Sequence, residues 1–407
     1  MDADPGLIAR LESDVARHPA ERYPVQHALA QLRLGIALTD AGRPAEAEAP
    51  LTAAVRLLSA DALRAQRAHA ENALGAALRA AARPDDARAA FMRAAAAFEA
   101  AGDLETGRGA ALFNLGLAQR ELGEVSAAVE SFRAARGLLP AANPAPAREL
   151  GAALLAAGEL DAAAAALREA VDLAQASGDA PGLGSAANIL GLVHLAADRP
   201  REAVDALLLA LAGHPRSIRP EGFAMAKANL ALAHERVGDA PRARLAARQA
   251  LAVAAAAPVR EQAAGVLERL GGGAGDLSAV LRSEPRERGP AIVREELTRW
   301  AEVAPAERRV ETAAWIDGVL ERPGDEVDLW ELWLGAALEA PPAAMQALVR
   351  AVVDALSDRD GPTRERVHAD VSRAMARFHV PQMLRLKDTF DAAAGELGGG
   401  GSAPVCV

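Results

Sequence analysis

Apolar residues recur every three to four positions along most of the chain, the period of a helix with one buried face. Residues 6–18 place Leu7, Ile8, Leu11 and Val15 on one side and end at His18-Pro19. The stretch Gly109 to Ala142 carries a fuller pattern. It predicts two helices and a turn: Leu115-Gly116 in the first helix, Gly123 at the turn, Ala128, Phe132 and Ala135 along the second, and Pro140 at its end. The spacing has a physical reason. Helices that cross closely need small residues where they meet, here Gly116 and Ala128. They need larger ones, here Leu115 and Phe132, to fill the space on either side.

Aligned on the Leu-Gly step, the pattern recurs along the chain. The first copy has Leu34-Gly35, Gly42, Ala47, Leu51 and Ala54, and the second has Leu74-Gly75, Ala82, Ala87, Phe91 and Ala94. After the copy described above, a fourth has Leu150-Gly151, Gly158, Ala163, Leu167 and Ala170. The fifth has Leu190-Gly191, Asp198, Ala203, Leu207, Ala210 and Pro215, and the sixth Leu230-Ala231, Gly238, Ala243, Ala247 and Ala250. Successive steps lie 40, 41, 35, 40 and 40 residues apart.

These offsets resemble those of the tetratricopeptide repeat. The likeness covers residues 24–257 and implies an all-α fold: a right-handed α-solenoid of six helical hairpins. The steps exceed the family's usual repeat of about 34 residues, so helices or interhelix turns are longer, with extra residues in stretches such as Leu57 to Arg67 and Gln175 to Leu183. This is similar to the long-repeat members, such as kinesin light chains, the maltose-type regulators and bacterial Rap regulators. The resemblance implies a non-enzymatic scaffold or adaptor that binds a protein or peptide in its concave groove. A peptide-sensing receptor is the alternative within the family. Residues 1–23 read as an N-terminal cap and 258–270 as the helix that closes the array, since a solenoid end otherwise exposes an apolar face.

The family's ligand contacts come from the inner face of each first helix. Carried over by position, they fall in the first copy on Leu29, Leu32, Ile36, Thr39 and Asp40, and in the second on His69, Asn72 and Arg79. The third copy offers Phe113, Arg120 and Glu121, the fourth Arg148, the fifth Ser185 and Asn188, and the sixth Met225, Glu235 and Arg236. Arg79, Arg120 and Arg148 come from consecutive copies and would form a basic stripe suited to an acidic segment or chain terminus. The competing reading pairs some of them with Glu121 or Glu149. Asn114 and Asn229 precede the Leu of the step and are expected to bond within the array. The family's lysine-based carboxylate clamp has no counterpart, because no lysine precedes Lys227.

Composition changes the picture mainly beyond the repeats. Gly271 to Gly275 is read as a linker, followed by an acidic helical domain at 276–396 and a glycine-rich tail at 397–407 that contains Cys406. Residues 276–396 hold 16 Lys/Arg against 23 Asp/Glu, and all four tryptophans. Expected helices there are 290–303, 306–321, 326–338, 342–357, 362–378 and 381–395, with Trp300, Trp315 and Trp330 filling a bundle core. Trp330 and Trp333 share a helix, and an exposed Trp333 would be a partner anchor.

The net charge of −10 argues against a nucleic-acid surface. No stretch is apolar enough to span a membrane, no signal core opens the chain, and one cysteine excludes an internal disulfide. A cytoplasmic protein is expected. Two lysines beside 43 arginines fit the codon bias of a GC-rich bacterium. No cofactor is expected: the chain lacks a GxxxxGK[ST] phosphate loop and a Gly-x-Ser-x-Gly elbow, and no helix reads as a DNA-recognition helix. Glu365 and His368 match one half of a di-iron motif, without a second half. A metal protein or enzyme accessory built on 276–396, and self-association through solenoid ends, remain the readings from other classes.

Overall fold

The computed structural model describes residues 5–102, 105–271 and 273–397. The tail from 398, with Cys406, lies outside the described residues. Among them every regular element is helical. The chain divides into two compact units, Met1–Gly213 and His214–Val407.

In the first unit α1 (Pro5–Arg17) packs on α2 (Pro24–Asp40). Ile8 of α1 is buried in the same apolar cluster as Leu34 and Leu38 of α2. Antiparallel pairs follow: α2 with α3 (Pro44–Leu57), α4 (Arg64–Ala80) with α5 (Pro84–Ala101), and α6 (Glu105–Glu121) with α7 (Val125–Leu138). The series goes on through α8 (Pro144–Ala156) with α9 (Leu160–Ser177), then α10 (Ala180–Ala196) with α11 (Pro200–Gly213). Each pair also packs on the next. The residues beyond the standard repeat length go largely into helix. Helices α5 and α6 have 18 and 17 residues across the longest step, whereas α7 and α8 have 14 and 13 across the shortest.

The contact that sets each pair is specific. A Cβ built on Gly35 would stand 2.3 Å from Leu51, on Gly75 2.6 Å from Phe91, and on Gly116 2.7 Å from Phe132. On Gly151 and Gly191 it would stand 2.4 Å from Leu167 and 2.5 Å from Leu207. Each large partner is fully buried. Seven residues after each of these glycines the chain turns through a positive φ, at Gly42, Ala82, Gly123, Gly158 and Asp198. There the N–H of the turning residue and of its successor return to the helix end: Ala82 N–H donates to Arg79 O and Arg83 N–H to Leu78 O. This closes the helix on its own last carbonyls. Proline then opens α3, α5 and α11, where the missing N–H costs nothing.

In the second unit α12 (Pro220–Val237) pairs with α13 (Ala240–Leu251), and α14 (Ala257–Leu270) packs on both. Here the glycine is replaced by Ala231 and its large partner by Ala247, both fully buried. Next come α15 (Asp276–Ser283), α16 (Gly289–Glu302), α17 (Pro305–Leu320), α18 (Glu326–Glu339), α19 (Pro342–Ser357), α20 (Gly361–Met375) and α21 (Val380–Leu397). The main packing among them is between alternate helices: α15, α17, α19 and α21 form one row, and α16, α18 and α20 another. Trp300, Trp315, Trp330 and Trp333 fill the space within these rows, and none is more than 1% exposed. Trp333 is therefore core and offers no anchor. Trp330 meets Trp315 and Trp333 edge to face, with ring centroids 6.4 and 5.8 Å apart.

Two outcomes follow from these features. Ala82 holds φ +59° without a glycine's freedom. Ala82→Gly is expected to raise unfolding stability by about 1 kcal/mol, and Asp198→Gly by less, since aspartate tolerates the left-handed region better. Chemical denaturation reads both; an unchanged or lower midpoint for Ala82→Gly contradicts the account. The second concerns His234, buried in α12. Burial lowers its pKa from 6.5 to about 4, with Asp239 opposing and Arg242 and Lys227 adding to the shift. A depressed histidine favours the fold above the unfolded pKa, and that contribution drains as pH falls from about 6.5 to about 4. The loss is about 3 kcal/mol. Urea titrations across this range are expected to show a flatter pH slope for His234→Gln than for the parent chain. An equal slope excludes His234 as a source.

Candidate partner-binding face

In the first unit, consecutive first helices touch one another: α2 on α4, α4 on α6, and α8 on α10. Successive second helices show no comparable packing among the described residues. The first helices of these pairs therefore lie nearer one another than the second helices do.

The residues on this face grade along the row. On α2, Leu32 is buried, Leu29 half-buried, and Ile36 43% exposed. On α4, His69 is exposed and stands edge-on to Phe98 at 4.9 Å between ring centroids. Asn72 is half-buried and accepts from Asn114 Nδ2 at 3.1 Å. On α6, Phe113 is half-buried and packs edge-on to Phe132, 5.7 Å away. Leu117 and Leu155 of α6 and α8 are half-buried beside the same core. On α10, Asn188 is buried at 6% exposure.

The arginines do not stand free. Arg79 donates to Glu121 at 2.8 Å. Arg120 donates to Glu149, and Arg148 reaches the same carboxylate at 3.0 Å. The basic stripe is thus an interleaved ladder, three guanidiniums against two carboxylates, each link except Arg148–Glu149 joining one hairpin to the next. Glu149, only 12% exposed at its side chain, is the shared node. Sequence reasoning placed it only as a competing partner; its position just before Leu150, at the helix–helix seam, was the available signal.

In the second unit Glu235 of α12 is held by Arg269 of α14 at 2.6 and 2.7 Å, and Asn229 accepts from Gln262 of α14 at 2.9 Å. Helix α14 therefore engages part of the corresponding face of α12. Met225 is 45% exposed and Arg236 exposed. Among the described residues no group of three or more His, Cys, Asp or Glu is placed to hold a metal ion, and no helix is long and apolar enough to cross a membrane.

Antiparallel helix pairs locked by glycine against a large side chain, closed by a left-handed turn and stacked in series, define a helical-repeat protein. The tetratricopeptide repeat family model matches residues 144–215, the stretch that holds α8 to α11, so that stretch is built of tetratricopeptide repeats. No curated protein matches the chain in sequence. Among solved structures, a Cut9–Hcn1 hetero-tetramer of the APC/C is 18% identical with a TM-score of 0.48, over 65% of this chain and 46% of that one. The chain thus spans under half the length of that relative. PilF of Pseudomonas aeruginosa is 16% identical, TM-score 0.45, over 58% of this chain and 96% of its own. YrrB, described as a TPR protein with an unusual peptide-binding site, is 19% identical, TM-score 0.37, over 46% and 87%.

The ladder makes an energetic contrast measurable. Removing Glu149 strands two guanidiniums, one of them only 25% exposed, whereas Glu121 and Arg79 are 38% and 34% exposed. Glu149→Gln is expected to cost about 1–2 kcal/mol of unfolding stability and Glu121→Gln under about 1 kcal/mol. Equal losses in denaturant titrations would show that the shared node has no special weight.

Proposed function

We propose that this protein is a non-enzymatic scaffold or adaptor, and that it binds a protein or an extended peptide along the inner face of α2, α4, α6, α8 and α10. One observation carries the reading: this face keeps Ile36, Leu29, Phe113, Leu117 and Leu155 partly open beside amide and charged groups. Partly open apolar residues amid oriented polar ones are what a peptide groove requires. The ladder's balance of three cations to two anions leaves one positive charge. It suits a partner segment with a single carboxylate or a chain terminus better than a strongly acidic tail. We place the protein in the cytoplasm, on its acidic composition and single cysteine.

The test compares capture of partners from an extract of the source cell by the full chain and by two variants. Ile36→Asp with Arg79→Ala alters the inner face; Met92→Asp alters an exposed position on the second helix α5. The expected result is a partner lost at least tenfold with the first and retained with the second, at unchanged helicity. Equal retention by both moves binding off this face. Compaction of the chain by a short peptide, seen in small-angle scattering, would replace the scaffold by the receptor alternative.

A further inference from the structure

The second unit contains a junction rich in ion pairs, between the hairpin α12–α13 and the helices from α15 on. The apolar core around the four tryptophans draws on α15 to α21 and, among the described residues, on nothing from α12, α13 or α14. Helix α13 packs on α15, and the side-chain bonds from the last repeat hairpin to the later helices are ionic except for Gln249 of α13, whose amide donates to Glu296 at 3.1 Å. Arg244 of α13 forks onto Asp276 at the start of α15, at 2.7 and 3.1 Å, and Arg248 reaches the same carboxylate at 2.8 Å. Arg248 also lies 3.4 Å from Glu311 of α17. Further out, Arg242 meets Glu284 at 2.7 Å, and Lys227 of α12 meets Glu295 of α16 at 2.7 Å.

The signs are segregated. In each of these pairs the cation belongs to the hairpin and the anion to the later helices. The ladder of the first unit is different, because there both signs alternate along one row. Asp276 is 2% exposed, and Lys227 and Glu311 are each 6%. The acidic side is pre-arranged: Arg299, 2% exposed, holds Glu296 at 2.8 Å and Glu311 at 2.9 Å. The chain between the two sides is the glycine stretch. Arg248 donates to the Gly273 carbonyl and Arg244 to that of Leu270, so the cations that hold Asp276 also hold these two carbonyls.

We propose that this junction is a releasable electrostatic latch: the basic face of α12 and α13 is a docking surface whose occupant in this structure is the acidic face of α15 to α17 from the same chain. Desolvated ion pairs contribute little net stability compared with apolar packing, yet they fix register and steer re-docking. A junction carried by them opens at less cost than either of the cores it joins. The self-contained tryptophan core lets the later helices leave as a unit. The open state bares Arg242, Arg244 and Arg248 together, a surface for an acidic segment.

The test is hydrogen exchange on the full chain, with three variants. Arg242→Glu is expected to speed exchange in 240–251 and 276–284 at least tenfold, and Glu284→Arg added to it is expected to restore protection, since the reversed pair re-forms the contact beside Asp239. Arg244→Gln with Arg248→Gln is expected to open the junction further and to make Gly271 to Gly275 a site of limited proteolysis. Protection across 326–375 and tryptophan emission stay unchanged throughout. Raising salt from about 50 mM to 1 M should shift the parent chain the same way. Loss of the tryptophan core together with the junction would overturn the proposal, as would failure of the double reversal to restore protection, or exchange that ignores both charge and salt.

Discussion

The array depends on one close contact, a glycine of the first helix seated on a large side chain of the second. In α2 to α11 the glycine Cα takes the place that any Cβ would contest with a Leu or Phe tip at 2.3–2.7 Å. That contact sets how near the two helices cross, and the crossing sets where the next hairpin stacks. The exception supports the rule. In α12 and α13 the glycine is Ala231, and the residue sixteen positions on is Ala247 in place of a Leu or Phe. A methyl gained on one helix is matched by a side chain shortened on the other, so the fit is conserved as a sum of sizes.

The turns show the same logic with more tolerance. A left-handed residue seven positions after the glycine lets the helix close on its own carbonyls, and the six turns all use it, from φ +55° to +86°. Two of them do so without glycine. The backbone bonds around Ala82 are as short as those around Gly42, so the geometry is imposed by the packed pair and the turn residue follows it. Packing overrides local preference here because the glycine–Phe91 contact would be lost if the chain turned elsewhere.

The hairpins were legible because their determinants are local: Leu-Gly, the turn and the large apolar residue lie within one copy. The C-terminal helices were legible as helices for the same reason, through prolines at their starts and apolar spacing. What escaped was whatever depends on a partner outside the copy. Arg79 finds Glu121 42 positions on, and Arg120 finds Glu149 29 positions on. A sequence shows these residues as charges, and only the stacking offset makes them pairs. The short helix α15 was missed as well. Its eight residues follow directly on a glycine run that reads as linker, and its defining residue, Asp276, is buried by arginines 28 and 32 positions earlier.

These pairings constrain what recognition can use. Most of a solenoid's surface is polar, and here the inner arginines already satisfy neighbouring carboxylates. An incoming carboxylate must therefore compete with Glu149 or Glu121 for guanidiniums that are already paired, with one positive charge left over, and in water that exchange gains little. Burying Ile36, 43% exposed, and the open edges of Leu29, Phe113 and Leu155 carries no such competition. At about 25 cal/mol per Å² of apolar surface removed from water, even a modest area outweighs one exchanged ion pair. For the binding proposed above, the ladder is then the register for the incoming chain, and the apolar positions between its rungs are the source of affinity.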